Sequence, residues 1–201
     1  MVGPIVVGAV WCTDEEVLKE LGAKDSKKLT PKKREALYGE ITSAAAHWEV
    51  VPLTAAELDS AMSQKNLNEV EMSLFAEAVS RYSADLVEVD CPEVNTERFG
   101  TVLSAMMGGV RVDARNKADD IFPAVSAASI VAKVTRDRFI EDIKAEIGID
   151  VGSGYPSDPA TKRYVEEWIN KNGTLPPHTR GSWKPVRELL SKKKTVSLDN
   201  W

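Results

Sequence analysis

Two aspartates in this sequence are placed for metal chemistry. Asp90 closes the run Leu86-Val87-Glu88-Val89, and Asp119 lies in Asn116-Lys117-Ala118-Asp119-Asp120-Ile121-Phe122-Pro123, just ahead of a helix start. Carboxylates at strand ends and helix starts can converge above a sheet and hold Mg²⁺ or Mn²⁺ through hard oxygen ligands. Two such ions activate a water and stabilise the leaving oxygen of a phosphodiester. Either acid taken singly is also an ordinary turn or helix cap. Lys117 flanks the second acid, and a small-residue helix then leads into the basic run Lys133-Val134-Thr135-Arg136-Asp137-Arg138. A helix laid against a sheet by its small face can bring such an acid to a phosphate, although tight packing alone gives the same pattern. His47 and His178 are far apart, in no ligand spacing, and read as surface or internally satisfied residues.

The elements that must carry these residues are legible from periodicity. Residues 5–11 read as a buried strand, continuous and β-branched after Gly-Pro. Thr30-Pro31 starts a helix with Thr as N-cap and Pro in the first helical position. Residues 49–52 read as a short strand, and Thr54 with Glu57 as a capping box. Asn68 with Glu71 forms a weaker cap pair, opening a helix with the stripe Leu74, Phe75, Ala78, Val79, Tyr82. Residues 86–90 read as a strand, Thr96 starts a helix, and 110–112 is a further strand. A long helix runs from Pro123 to Ile147 and stops near Gly148. Its first half is small and apolar on nearly every side, which lets it sit close to a sheet. Asp158-Pro159 caps a helix ending near Asn172-Gly173, Pro185 starts another, and 191–201 reads as a tail. Alternating strands and helices, with an all-helical last third, indicate an α/β fold with a mixed sheet.

Composition narrows the class. With 43% hydrophobic and 28% charged residues in a chain of 201, the sequence is that of a globular domain with a real core. No apolar run reaches the ~20 residues of a membrane span, and the opening strand lacks the basic flank of a secretory signal. Cys12 and Cys91 alone suggest neither a disulfide framework nor zinc, which fits a cytoplasmic setting. The net charge of −5 argues against a generic nucleic-acid coat. Its distribution does not: Lys24 to Arg34 holds six basic residues against Asp25, and further clusters follow near Arg111–Lys117, Lys133–Arg138 and Lys184–Lys194. Separate basic clusters permit a local phosphate-tracking surface, or are solvated helix faces.

Several stretches, in order along the chain, carry a resemblance. They are Asp25-Ser26-Lys27-Lys28-Leu29-Thr30; Val89-Asp90-Cys91-Pro92-Glu93-Val94 with Glu97-Arg98-Phe99; Lys117 to Pro123; Ser126 to Arg138; and Gly152-Ser153-Gly154-Tyr155-Pro156-Ser157-Asp158-Pro159. Together they resemble ribonuclease HII of the archaeal type. The resemblance implies a ribonuclease H-like fold: a mixed five-stranded sheet flanked by helices (residues 1–147), a helical C-terminal extension (148–190) and a tail (191–201). It implies an endonuclease that cuts the RNA of RNA·DNA hybrids, and single ribonucleotides embedded in DNA, in ribonucleotide excision repair and DNA replication. It implies four carboxylates with Mn²⁺ or Mg²⁺, of which Asp90 and Asp119 are two. Lys27 and Lys28 would face backbone phosphates, and Lys117 and Ser126 would help orient phosphate or metal water. Tyr155 would pack against the sugar at the RNA–DNA junction, where the 2′-OH is the local distinction. A monomer is expected.

One departure stands out. The family's Asp-Glu-Ala-Gly-Arg-Gly motif belongs just upstream of a Gly-Pro strand, and here that strand begins at Met1-Val2-Gly3-Pro4-Ile5. Two carboxylates and a central strand are thus expected upstream, with a shortened gene reading favoured over a natural loss. The alternative is a catalytically silent hybrid-binding module. A third reading, a ribonuclease HI or resolvase of the same fold, sits poorly with the Gly-Ser-Gly-Tyr-Pro-Ser-Asp-Pro run. The tail Lys192 to Trp201 resembles a sliding-clamp-binding peptide with Leu198 and Trp201 as apolar anchors, although Thr195 stands where Gln is usual.

Overall fold

The computed structural model describes residues 1–22 and 29–198, with the backbone alone for 192–198. The element order is β1 (Ile5–Trp11), α1 (Glu15–Glu20), α2 (Pro31–Ala44), β2 (His47–Leu53), α3 (Ala55–Ala61), α4 (Leu67–Ser80), β3 (Leu86–Asp90), α5 (Thr96–Met106), β4 (Arg111–Arg115), a 3₁₀ turn (Ala118–Asp120), α6 (Pro123–Ile147), α7 (Pro159–Asn172) and α8 (Lys184–Leu198). This is the α/β fold expected. The chain packs as two units. One contains residues 6–51 and 66–135; the other contains 1–5, 52–65 and 136–201.

The first of these units carries the strands. β1 pairs with β2, and β3 pairs with β4. The Ala46 N–H donates to the Trp11 carbonyl (2.9 Å), which sets the end of β1 beside the start of β2. β3 and β4 are parallel, in register from Leu86 opposite Arg111 to Asp90 opposite Arg115. The resemblance implies one five-stranded sheet; the described residues form two two-stranded sheets instead, because no fifth strand lies among them to join the pairs. Leu18 of α1, Leu37 and Ile41 of α2, and Ala127, Ile130, Val131 and Val134 of α6 make one core, with Val10, Trp48 and Val50 packed against it. Met72 of α4 and Phe99 and Leu103 of α5 make another with Val89 of β3. The small face of α6 lies close to β1, as its composition suggests. A Cβ on Gly8 would fall 2.5 Å from the Ala128 carbonyl oxygen and 3.1 Å from the Ala132 Cβ.

In the other unit, Met1 and Val2 are buried with Ile140 and Ile143 of α6, Tyr164, Val165 and Ile169 of α7, and Val186 of α8. Asp59 of α3 accepts hydrogen bonds from Gly181 N–H (2.7 Å), Ser182 N–H (2.9 Å) and the Ser182 hydroxyl (2.6 Å). It thereby ties the approach to α8 to a helix more than a hundred residues earlier.

Four local readings are corrected. The cap of α4 is Asn66 with Glu69, both halves of the capping box present, rather than Asn68 with Glu71. That frame starts the helix at Leu67 and buries Val70 and Leu74. β4 runs to Arg115, past the expected 112, because the parallel ladder to β3 outweighs the polar side chains of Asp113 and Arg115. α1 is an element the periodicity did not show; Asp14 caps it by accepting from Glu16 N–H (3.0 Å), and it buries Leu18. The segment read as a tail after 190 continues α8 to Leu198, since Ser191 and the three lysines offer no breaker.

Candidate active site

Parallel pairing delivers the C-terminal ends of β3 and β4 to one edge. There the Cys91 N–H donates to the Arg115 carbonyl (2.8 Å), carrying the ladder one residue past Asp90. The Asn116 side-chain amide then donates to the carbonyls of Cys91 (2.7 Å) and Glu93 (2.8 Å), which fastens the loop after β3 to the loop after β4. Lys117 adopts a left-handed conformation (φ 56°, ψ 41°). A non-glycine residue there carries a cost of about 1–2 kcal/mol. The turn it makes points the Ala118 N–H at the Asp90 carboxylate, 3.1 Å away. Asp90 is therefore bonded to the backbone amide adjacent to Asp119. The bond ties Asp90 to Ala118, the residue before Asp119, across 28 residues of chain.

Their environments differ. Asp90 is exposed, whereas Asp119 is 7% exposed within the 3₁₀ turn. A buried carboxylate needs partners or a cation, and Asp119 does engage other residues of the chain. Phe122 N–H donates back to the Ala118 carbonyl (2.8 Å) and Ser126 N–H to Phe122 (3.0 Å), which leads directly from the acid turn into α6. The Arg115 guanidinium covers the Phe122 ring at 5.3 Å while it holds Asp113 through two bonds of 2.8 Å. Ser126 is 1% exposed, and its hydroxyl has no hydrogen-bond partner among the described residues. Lys117 is exposed.

Sequence reasoning missed Glu88. It stands two residues before Asp90, on the same face of β3, directly opposite Asp113 in register. Burial, a hydrogen bond that its protonated carboxyl donates to Glu15, and the charges of Glu15 and Asp113 push that carboxyl up to about 7. The signal was present: an acid between two buried valines in a five-residue strand.

As hard oxygen donors, Asp90, Asp119 and the unpartnered Ser126 hydroxyl suit a divalent cation in kind. Mg²⁺ is commonly held by one or two carboxylates, with waters and substrate phosphates completing its shell. Among the described residues no group of three or more His, Cys, Asp or Glu could hold an ion.

Tyr155 belongs to the other unit. Its loop is held from beneath. Ser153 N–H donates to the Asp158 carboxylate (2.6 Å), Gly154 N–H to the Thr161 hydroxyl (2.9 Å), and that hydroxyl to the Val151 carbonyl (2.9 Å). The Ser153 bonds, with those from Ala160 and Thr161, draw the Asp158 carboxyl down to about 2. The Tyr155 ring remains 36% exposed. Lys27, Lys28, Trp201 and the Leu198 side chain lie outside the described residues.

A family model described as Ribonuclease HII matches residues 1–186. The chain belongs to the ribonuclease HII family. A ribonuclease HII of Thermococcus onnurineus is 42% identical over 197 residues, covering 96% of this chain and 86% of its own. Among solved structures, one titled as the PCNA:RNase HII complex from Archaeoglobus fulgidus aligns with a TM-score of 0.87 at 43% identity, covering 94% of this chain and 90% of that one. A structure of Bst-RNase HIII in complex with Mn²⁺ aligns at TM-score 0.75 over 96% of this chain and 66% of its own; at 17% identity it shows the fold alone. Ribonuclease HII is a hydrolytic endoribonuclease acting on the RNA of RNA·DNA hybrids, and this chain is a member with the ribonuclease H-like fold. No helix among its described residues is long and apolar enough to cross a membrane.

Proposed function

We propose that this ribonuclease HII acts at Asp90 and Asp119, cutting RNA·DNA hybrids and single ribonucleotides in duplex DNA, with Mn²⁺ or Mg²⁺ as cofactor. The observation that supports the reading is the bond from the Ala118 N–H to the Asp90 carboxylate, which sets Asp90 against the residue next to Asp119. Divalent cations there would supply an activated water and charge stabilisation for the leaving oxygen. Asp90 and Asp119 hold the ions; Asn116 and the left-handed Lys117 fix the turn between the acids. The Lys117 ammonium, exposed beside them, is free to meet a substrate phosphate. The Ser126 hydroxyl, buried in the first turn of α6, orients a water or phosphate oxygen. The solved structure containing Mn²⁺ shares the fold, which agrees with a divalent-metal centre.

Substrate contacts are assigned with the same reading. Lys27 and Lys28 track backbone phosphates, and Tyr155 packs on the sugar at the junction. The tail engages a sliding clamp through Leu198 and Trp201. The A. fulgidus relative titled as a PCNA complex supports such a partner. The enzyme works as a monomer in the cytoplasm.

The test is cleavage of a DNA duplex carrying one ribonucleotide, with Mn²⁺ or Mg²⁺. It is run on this chain and on a version preceded by an Asp-Glu-Ala-Gly-Arg-Gly segment. Cleavage leaving 3′-hydroxyl and 5′-phosphate ends is expected, and Asp119→Asn in the cutting form should abolish turnover while leaving hybrid binding nearly intact. No cleavage by either form would overturn the reading. Tight hybrid binding without turnover would favour a silent binding module.

A further inference from the structure

Arg136 of α6 is a cation placed almost out of reach of water. It is 6% exposed, and loss of hydration lowers its guanidinium pKa from the ordinary value. Its partners do not compensate that burial in the usual way. Asp137 lies 3.6 Å from Nη1 but is itself 37% exposed. The closer contacts are neutral: Nη1 donates to the Ser153 carbonyl at 3.0 Å and Nη2 to the Val2 carbonyl at 3.4 Å. Nε is buried with no hydrogen-bond partner among the described residues. A buried charge held mainly by carbonyls is costly, so its retention needs another reason.

The reason lies on the other face of the guanidinium. The Tyr155 ring covers it, with the guanidinium carbon 3.8 Å from the ring centroid. Ser153 and Tyr155 flank Gly154, whose backbone is pressed onto the same group. A Cβ there would fall 2.7 Å from Nη2 and 2.6 Å from the Val2 carbonyl oxygen, at a left-handed φ of 78°. The loop backbone, the guanidinium and the phenol ring thus form one stack, rooted in a long helix and ending in a half-exposed aromatic face.

We infer that Arg136 is a positioning residue for Tyr155, fixing the height and tilt of its ring so that the outer face meets the sugar at the RNA–DNA junction. The inference rests on the junction reading of Tyr155 proposed above. A planar guanidinium suits this because it stacks on an aromatic face and forks to two carbonyls at once; an ammonium does neither in the same geometry. Holding the ring before substrate arrives removes the cost of ordering it on binding.

The experiment combines spectroscopy and binding on the 201-residue chain. Tyrosine is ring-labelled with ¹³C; the chain has four tyrosines, and Tyr155→Phe assigns the signal of interest. In the unmutated chain, Tyr155 ring protons should show nuclear Overhauser contacts to the Arg136 side chain, and their absence overturns the proposal without any need for a variant. Arg136→Lys should move the Tyr155 signal and leave the other three in place. Binding is then compared between a duplex with one ribonucleotide and its all-DNA counterpart, without divalent metal. Arg136→Lys should lower that discrimination about three- to tenfold. In a Tyr155→Ala background the same change should cost nothing further, since a residue acting through Tyr155 has nothing left to act on. Losses that add in the double variant, or a Tyr155 signal that stays put, overturn the proposal and leave the junction reading standing. If Tyr155→Ala alone leaves discrimination unchanged, the junction reading falls and this inference with it.

Discussion

At the scale of single residues, β3 sets two carboxylates in different surroundings. Asp90 is exposed and accepts a hydrogen bond from the Ala118 backbone amide. Glu88, on the same face, is pushed up to about 7 by burial and by Glu15 and Asp113. Because its folded pKa lies above the ordinary 4.5, folding favours its protonated form. The stability this gives is complete below about pH 4.5 and is lost as pH rises through about 7. Glu88→Gln should therefore leave the thermal midpoint unchanged near pH 4.5 and raise it at pH 8 by about 2–4 °C, the scale of ~1 kcal/mol in a chain this size after allowing for solvent screening. Thermal melts at the two pH values check this. An equal shift at both would mean that the acid's ionisation is not what the substitution relieves. The two aspartates were legible as candidates because a strand pattern ended on Asp90 and a helix start followed Asp119. Glu88 was not, since its perturbation comes from burial, from Glu15 more than seventy residues away, and from a strand partner that only pairing reveals.

At the scale of elements, periodicity placed most helices and strands, and it failed where two frames competed. Asn66-Leu67-Asn68-Glu69-Val70-Glu71 offers two asparagine–glutamate cap pairs two residues apart. Local chemistry cannot separate them. Burial can: starting at Leu67 buries Val70 and Leu74, and the bonds Asn66 N–H to Glu69 (2.8 Å) and Glu69 N–H to Asn66 (3.0 Å) follow. Asn66→Ala should cost about 1 kcal/mol, and Asn68→Ala less than about 0.5 kcal/mol, in paired denaturant titrations. Equal losses would argue against the Asn66 frame. The β1–α6 contact was half legible. The small residues of α6 announced a close approach, but not that Gly8 would be the point of contact. Gly8→Ala drives a methyl against the Ala128 carbonyl, and should destabilise by about 1–3 kcal/mol. A neutral result would show that the strand and helix can separate without loss.

At the scale of the whole molecule, sequence conveys the charge but not the assembly of segments. No pattern announced that residues 52–65 pack with 136–201, because the bonds from Gly181 and Ser182 to Asp59 depend on a return of the chain across more than a hundred residues. Charge is another matter, since its distribution is written directly. A net charge of −5 would repel a polyanion as a whole, yet six basic residues lie between Lys24 and Arg34 against one acid. If that run tracks phosphates, binding releases condensed counterions, and the logarithm of the affinity for hybrid should fall linearly with the logarithm of salt concentration. Each phosphate contact adds about 0.9 to the slope, so Lys27→Ala and Lys28→Ala should each reduce it by about one and weaken hybrid and all-DNA duplex alike. Net charge alone predicts the opposite trend, with added salt screening the repulsion and strengthening binding. Fluorescence titrations from low to physiological salt separate the two, and an affinity that holds or rises with salt would remove the basic run from the substrate surface.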